Sequence, residues 1–306
     1  MFLLACTAED LQPATIKDYD QKLRDLVYFL QTVCSVGDVR DVTPTDVRLY
    51  KTALDARMKP ISASCYLRVA RRWFNWHEAE GTIPQSPMHS IRVPKPKNKL
   101  VVPFNDSQVE DMVALCDAGS PWPGMRNKAL LLVLVDGGPR LRELTDMGLD
   151  DVSARADRIT IRRGKNNESR VIGLGKNAQK ALLRYVLSRE EHLEFHLGKL
   201  SRHERERSLS YLWLNMNGLP LRPQGVASMI KRLGQRAHVE GVRCSAHTFR
   251  HYCGTKAMRN GARQREVRDM LGHKRDDMTN IYTATIGSED AAERHRLWSP
   301  GDSLRV

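Results

Sequence analysis

Residues 92–103, RVPKPKNKLVVP, place three prolines and four cations in one short stretch. Each proline lacks a backbone donor and fixes φ, so neither a continuous helix nor a central strand can run through it. The chain must therefore fold as two bodies joined here. Its 306 residues agree, at roughly 150 residues per domain. The expected division is a helical domain over 1–95, a linker over 96–104, and a second domain over 105–306 with a C-terminal tail. An extended cationic linker either follows a nucleic-acid backbone, leaving the two domains on opposite faces of a duplex, or is a plain solvated tether.

The first body reads as helices. From Thr15 onward, Ile16, Tyr19, Leu23, Leu26, Val27, Leu30 and Val33 step by three and four, the spacing of one buried stripe. Thr43-Pro44-Thr45-Asp46 starts a second helix with a capping threonine, a first-turn proline and an acid at the positive end of the dipole. A third is expected over 62–80, ending at Gly81. It turns Leu67, Ala70, Trp73, Phe74 and His77 inward and carries Arg68, Arg71 and Arg72 on another flank, placed to lie on phosphates.

The second body is also mainly helical, at 106–118, 123–136, 140–147, from 177 onward, 223–238, 245–260 and 263–271. Two β-branched runs interrupt it, Arg158–Arg163 and Arg170–Leu174, around Gly164-Lys165-Asn166-Asn167-Glu168. They predict a hairpin. Tyr211–Leu214 is a short apolar run followed by an Asn217-Gly218 turn, and 189–209 has no clear periodicity. The fold class is thus mainly α with a small antiparallel β-sheet.

The charge balance of 49 − 36 = +13 favours a polyanionic partner, nucleic acid first, over acidic proteins and small neutral ligands. Apolar content of 41% and charged content of 28% are those of a folded chain. No run approaches the ~18 apolar residues of a membrane span. The opening MFLLAC is short and lacks the basic flank of a signal peptide, so a cytoplasmic location is expected. The six scattered cysteines, Cys6, Cys34, Cys65, Cys116, Cys244 and Cys253, fit reduced thiols.

His247-Thr-Phe-Arg250-His251 opens the helix expected at 245–260. Residues three apart share a helical face, so His247 and Arg250 are placed to grip one anion together. The competing reading is an ordinary ion pair for Arg250 and a helix cap from His247. A zinc set of Cys244, His247, His251 and Cys253 is a further alternative, disfavoured by its crowded spacing.

Taken in order, Gly137-Gly-Pro-Arg140-Leu-Arg-Glu143-Leu, Lys165, His247-x-x-Arg250, Leu271-Gly-His273 and Tyr282 resemble the signature of the tyrosine recombinases, the phage-integrase family. The motifs span about 105–285, and the N-terminal helices resemble the family's core-binding, SAM-like domain. One departure is Pro139, where the family usually has a small or aliphatic residue. Proline is tolerated at a helix start, and Arg142, two positions beyond Arg140, would face away.

The resemblance implies a mixed α/β catalytic domain that breaks and rejoins DNA through a 3′-phosphotyrosine on Tyr282, with Arg140 and Arg250 clamping the nonbridging oxygens. His247 would take the phenolic proton, His273 would bond the phosphate, and Lys165 would protonate the departing 5′-oxygen. Glu143 would orient Arg140. Guanidinium forks suit a pentavalent phosphate, and the retained phosphodiester bond energy removes any need for ATP. No metal or cofactor is expected, and no Gly-x4-Gly-Lys-Ser/Thr motif is present. The expected partner is a double-stranded recombination site, bound by four self-associating protomers. Further DNA contacts are expected from Arg68, Arg71, Arg72, Lys95, Lys97, Lys231, Arg232 and Arg236. The region before Thr15 is too short for the arm-binding domain of lambda-type integrases, which points to a Xer-like or transposon type. A type IB topoisomerase and an inactive DNA-binding regulator of the same fold are the alternatives.

Overall fold

The structure is a computed structural model that describes residues 1–94, 101–118, 121–162 and 169–272. Two compact units are present, Met1–Lys99 and Leu100–Val306.

The first unit contains α1 (Phe2–Ala8), α2 (Pro13–Thr32), α3 (Pro44–Arg57) and α4 (Pro60–Ala79). The Thr43 start is a reciprocal box: its hydroxyl accepts from the Asp46 amide, and the Asp46 carboxylate accepts from the Thr43 amide at 2.8 Å. Leu26, Leu30, Tyr50, Leu54, Leu67 and Phe74 form the shared core, each worth about 2 kcal/mol on burial. Tyr50 donates to Asp25 at 2.8 Å. Two features depart from the periodicity. Val33 is exposed, because α2 ends at Thr32 and leaves Val33 as its cap. The first residues form α1, whose Phe2 and Cys6 are buried and pack the N-terminus onto this core.

In the second unit come α5 (Asp106–Asp117), α6 (Pro121–Gly137), α7 (Leu141–Thr145), β1 (Arg158–Ile161), β2 (Arg170–Gly173), α8 (Lys176–Leu197), α9 (Arg202–Ser210), α10 (Pro223–Arg236), α11 (Ala246–Arg259) and α12 (Gln264–Leu271). Helix α6 is apolar around most of its circumference, as a central helix must be. It buries Ala129, Leu130, Leu131, Val133 and Leu134 against α5, α8 and α11. The stretch 189–209, without clear periodicity in sequence, is the end of α8 and all of α9. A Ser201–Glu204 box starts α9. The buried Arg189 donates into its last carbonyls, reaching Leu209 at 3.2 Å and Tyr211 at 2.6 Å.

Strands β1 and β2 pair antiparallel, with Ile159 opposite Ile172 and Ile161 opposite Arg170. Ile159, Ile161 and Ile172 are buried in the main core. Beyond Tyr211, Asn215 and Leu219 close the turn at Gly218, whose φ is +73°. Among the described residues no helix is long and apolar enough to cross a membrane.

Candidate active site

The site is built where the end of α6 meets β2 and the end of α12. A Cβ on Gly137 would fall 2.3 Å from Ile172 Cδ1, and one on Gly138 would fall 2.7 Å from Leu271 Cδ2. Gly138 also sits at φ +51°, a region that side chains disfavour. The glycine pair thus lets the chain leave α6 in close contact with its neighbours. Pro139 follows, and Arg140 is the N-cap of α7 in extended backbone. The helix begins one residue later than Arg140.

Arg140 is held by Glu143. Its amide donates to Glu143 Oε2 at 2.9 Å and its Nη1 to Oε1 at 2.7 Å, while Nη2 reaches the Gly272 carbonyl at 3.2 Å. The side chain remains 44% exposed, so it keeps donors for an incoming anion. Arg142 is exposed on α7.

Arg250, on α11, is buried. Its Nη1 donates to the Gly138 carbonyl at 2.7 Å and its Nη2 to the Leu271 carbonyl at 2.6 Å. These bonds seat its guanidinium at the same helix end that Arg140 reaches. Helix C-terminal carbonyls lack intrahelical donors and carry partial negative charge, so cationic side chains are favoured there.

The cap of α11 is Ser245, which accepts the Thr248 amide at 3.2 Å; His247 does not cap. His247 faces solvent, and its Nε2 lies 3.0 Å from Nε2 of the buried His251. Burial, then the neighbouring Arg250 and Arg243, lower the His247 pKa. Burial, then His247 and Arg250, push His251 down to about 4. Both shifts favour neutral rings near pH 7, where this contact requires one ring to donate from Nε2 and the other to accept there, so the two hold opposite tautomers.

The zinc alternative finds no support in this geometry. Cys253 is buried and donates to the Asp136 carbonyl at 3.4 Å, whereas Cys244 lies against Val242 at 3.9 Å. Among the described residues no group of three or more potential ligands is arranged to hold a metal.

Two groups escaped the sequence reading. Arg170, on β2, forks onto Glu143 with Nη1–Oε1 at 3.1 Å and Nη2–Oε2 at 2.7 Å, and its Nε donates to the Met270 carbonyl at 2.8 Å. Three arginines from separate elements therefore donate to the consecutive carbonyls of Met270, Leu271 and Gly272. Burial alone would raise Glu143, but the Arg170 fork, the Arg140 amide, the Arg170 charge and the Arg140 side-chain bond outweigh it and hold the carboxyl at about 2. The other is His251, which in sequence stands out only as a possible metal ligand. A signal for Arg170 existed in the alternation of β2, which puts it on the inward face of Ile172.

Lys165, His273, Tyr282 and the tail from 287 lie outside the described residues, as do Lys95 and Lys97. In the first unit Arg68 is exposed. Arg71 and Arg72 are engaged within it: Arg71 donates to the Ile91 carbonyl, and Arg72 pairs with Glu9 and lies over the Tyr19 ring. The basic flank on α4 is thus only partly open, because two of its cations brace neighbouring segments. On α10 the buried face is Val226, Met229, Ile230 and Leu233, and Lys231, Arg232 and Arg236 are exposed.

Residues 103–287 match the phage integrase family. Tyrosine recombinase XerD of Listeria innocua is 30% identical over 275 residues, covering 89% of this chain and 88% of that protein. Tyrosine recombinase XerC of Bacillus pumilus is 26% identical over 270 residues, 88% of this chain and 85% of that one. Among solved structures, the XerH site-specific recombinase bound to palindromic difH substrate in a post-cleavage complex aligns with a TM-score of 0.73 at 17% identity. That alignment covers 97% of this chain and 82% of the XerH chain. A lambda integrase dimer bound to a COC′ core site aligns at 0.70 and 15% identity, over 90% and 94% of the two chains. These two likenesses establish the fold. The family match and the XerD similarity, joined to that fold, show that the chain belongs to the phage integrase family of tyrosine recombinases.

Proposed function

We propose that this enzyme is a site-specific recombinase that cuts and rejoins double-stranded DNA through a 3′-phosphotyrosine on Tyr282, with neither metal nor ATP. The observation that carries the reading is the convergence of Arg140 and Arg250 on the end of α12. One phosphodiester seated there would meet both guanidinium groups.

In the proposed reaction the Tyr282 phenolic oxygen attacks phosphorus while its proton passes to His247, whose Nδ1 is the accepting nitrogen when its Nε2 donates to His251. Negative charge gathers on the two nonbridging oxygens and is met by Arg140 and Arg250, with His273 donating a further hydrogen bond. The P–O5′ bond breaks as Lys165 protonates the leaving oxygen. The product is a phosphotyrosyl diester and a free 5′-hydroxyl, so the reverse attack by a 5′-hydroxyl of the partner strand rejoins DNA without an external energy source. Losing one such charge-stabilising donor costs about 10²–10³ in rate.

Contacts to the DNA backbone are assigned to the exposed Arg68, Lys231, Arg232 and Arg236, and to Lys95 and Lys97 in the linker. XerH and lambda integrase have been captured on their DNA sites, which supports a recombination site as the partner here. Four protomers would assemble on two sites, in the cytoplasm at the nucleoid.

The test is a nicked suicide substrate from the native locus, incubated in EDTA without nucleotide and resolved under denaturing conditions. A covalent protein–DNA species that disappears in Tyr282→Phe is expected. Strand cleavage without a covalent species, or cleavage that requires a divalent ion, would overturn the proposal. Sedimentation on two-site DNA checks the assembly: tetramers are expected, and one protein per duplex would favour a relaxing enzyme.

A further inference from the structure

Glu143 accepts from two arginines in unequal ways. Arg170 takes the fork, one nitrogen on each carboxylate oxygen at 3.1 and 2.7 Å, and its side chain is only 9% exposed. Arg140 has a single side-chain bond to Oε1, supplemented by its own amide on Oε2. Together these four bonds fill the acceptor sites of one carboxylate.

This asymmetry has a chemical consequence. A lone Glu–Arg pair relaxes to the bidentate form, which is the strongest arrangement of the two groups. In that form the Arg140 fork would turn onto Glu143 and its charge would be neutralised locally. With Arg170 occupying the fork position, the Arg140 guanidinium makes one bond to Glu143 and one to the Gly272 carbonyl, and its side chain is still 44% exposed. Two guanidinium groups on one carboxylate also leave one surplus positive charge, carried at the exposed member. The Arg170 Nε bond to the Met270 carbonyl, 2.8 Å long, fixes the strand to the helix end that Arg140 and Arg250 share.

We infer that Arg170 is a positioning residue for phosphoryl transfer, occupying the Glu143 fork so that the Arg140 guanidinium is not neutralised by a fork of its own and stays available to the scissile phosphate. The inference rests on the recombinase reading above. A plain structural ion pair would brace β2 equally well, and the two roles separate by their dependence on phosphate charge.

The experiment measures single-turnover cleavage at saturating DNA for the parent, Arg170→Met, Arg170→Lys and Arg140→Ala, on a native suicide substrate and on one with a methylphosphonate at the scissile position. The methylphosphonate replaces a charged nonbridging oxygen with a neutral methyl, so less charge compensation is needed. On native phosphate Arg170→Met should cleave about 10–100-fold slower, short of the ~10²–10³-fold loss from Arg140→Ala. Its DNA Kd should stay within about 2-fold of the parent, the pattern of an interaction used in the transition state. On methylphosphonate both deficits should shrink to within about 3-fold. Arg170→Lys keeps the charge but not the fork and should fall between the parent and methionine variants. Equal deficits on both substrates, or none on native phosphate, would overturn the inference. If the methionine variant melts below the assay temperature, the lysine variant decides by the same criteria. A parent protein that forms no Tyr282-dependent adduct would instead remove the recombinase reading itself.

Discussion

Arg140 and Arg250, far apart in sequence, donate to the carbonyls of adjacent residues: Arg140 Nη2 to Gly272 at 3.2 Å and Arg250 Nη2 to Leu271 at 2.6 Å. One is the N-cap of α7, with its side chain 44% exposed; the other is buried on α11. Groups that act on one phosphate as a unit lose activity non-additively. Arg140→Ala and Arg250→Ala should each slow single-turnover cleavage by about 10²–10³. The double variant should lose far less than the product of the two. Fully multiplicative losses would place the arginines on different steps.

Gly138 supplies a carbonyl to Arg250 from a left-handed backbone position pressed against Leu271. Alanine there meets both φ strain and a side-chain collision, together about 1–3 kcal/mol. Gly138→Ala should therefore lower Tm by roughly 3–8 °C, with reduced cleavage at temperatures where the variant is folded. An unchanged Tm in differential scanning calorimetry would show that the α6–α12 contact yields easily.

Glu143 is held at about 2, against an ordinary value of 4.5. A carboxyl depressed on folding contributes stability that is complete above its unfolded pKa and disappears as pH falls through the folded one. The expected contribution is on the order of 3 kcal/mol. The stability difference between parent and Glu143→Gln, from urea titrations, should thus be constant above about pH 5 and shrink as pH falls toward about 2. A difference independent of pH across this window would mean that Glu143 is not ionised between its two arginines.

Lys231, Arg232 and Arg236 line the exposed face of α10. If about eight phosphates are neutralised overall, log Kd against log salt should have a slope magnitude near 7. Each alanine substitution in this set should reduce it by about 1, with similar weakening on every DNA sequence. Losses confined to one sequence would make that residue a base reader.

Much of the fold was legible because local chemistry and burial agree. Thr43 and Asp46 mark the start of α3, and the β-branched runs flanking 164–168 pair as β1 and β2. Helix α9 was not legible because Arg202–Arg207 offers no apolar stripe; its stability comes from the Ser201 cap and from Arg189 reaching into its end. Helix α1 is too short for a periodic signal. At the site, motif spacing singled out Arg140, His247 and Arg250 as candidates, but not what holds them. The acceptors are main-chain carbonyls at the end of α12, which have no side-chain signature. Arg170 joins them only because β2 folds against α7 and α12.

The covalent step itself can be read by digesting the trapped protein–DNA adduct and sequencing the nucleotide-bearing peptide by tandem mass spectrometry, with end-labelling of the released strand. The predicted result is a nucleotide on the phenolic oxygen of Tyr282 and a free 5′-hydroxyl on the released strand. An adduct on another residue, or a 5′-phosphate on that strand, would contradict the proposed mechanism.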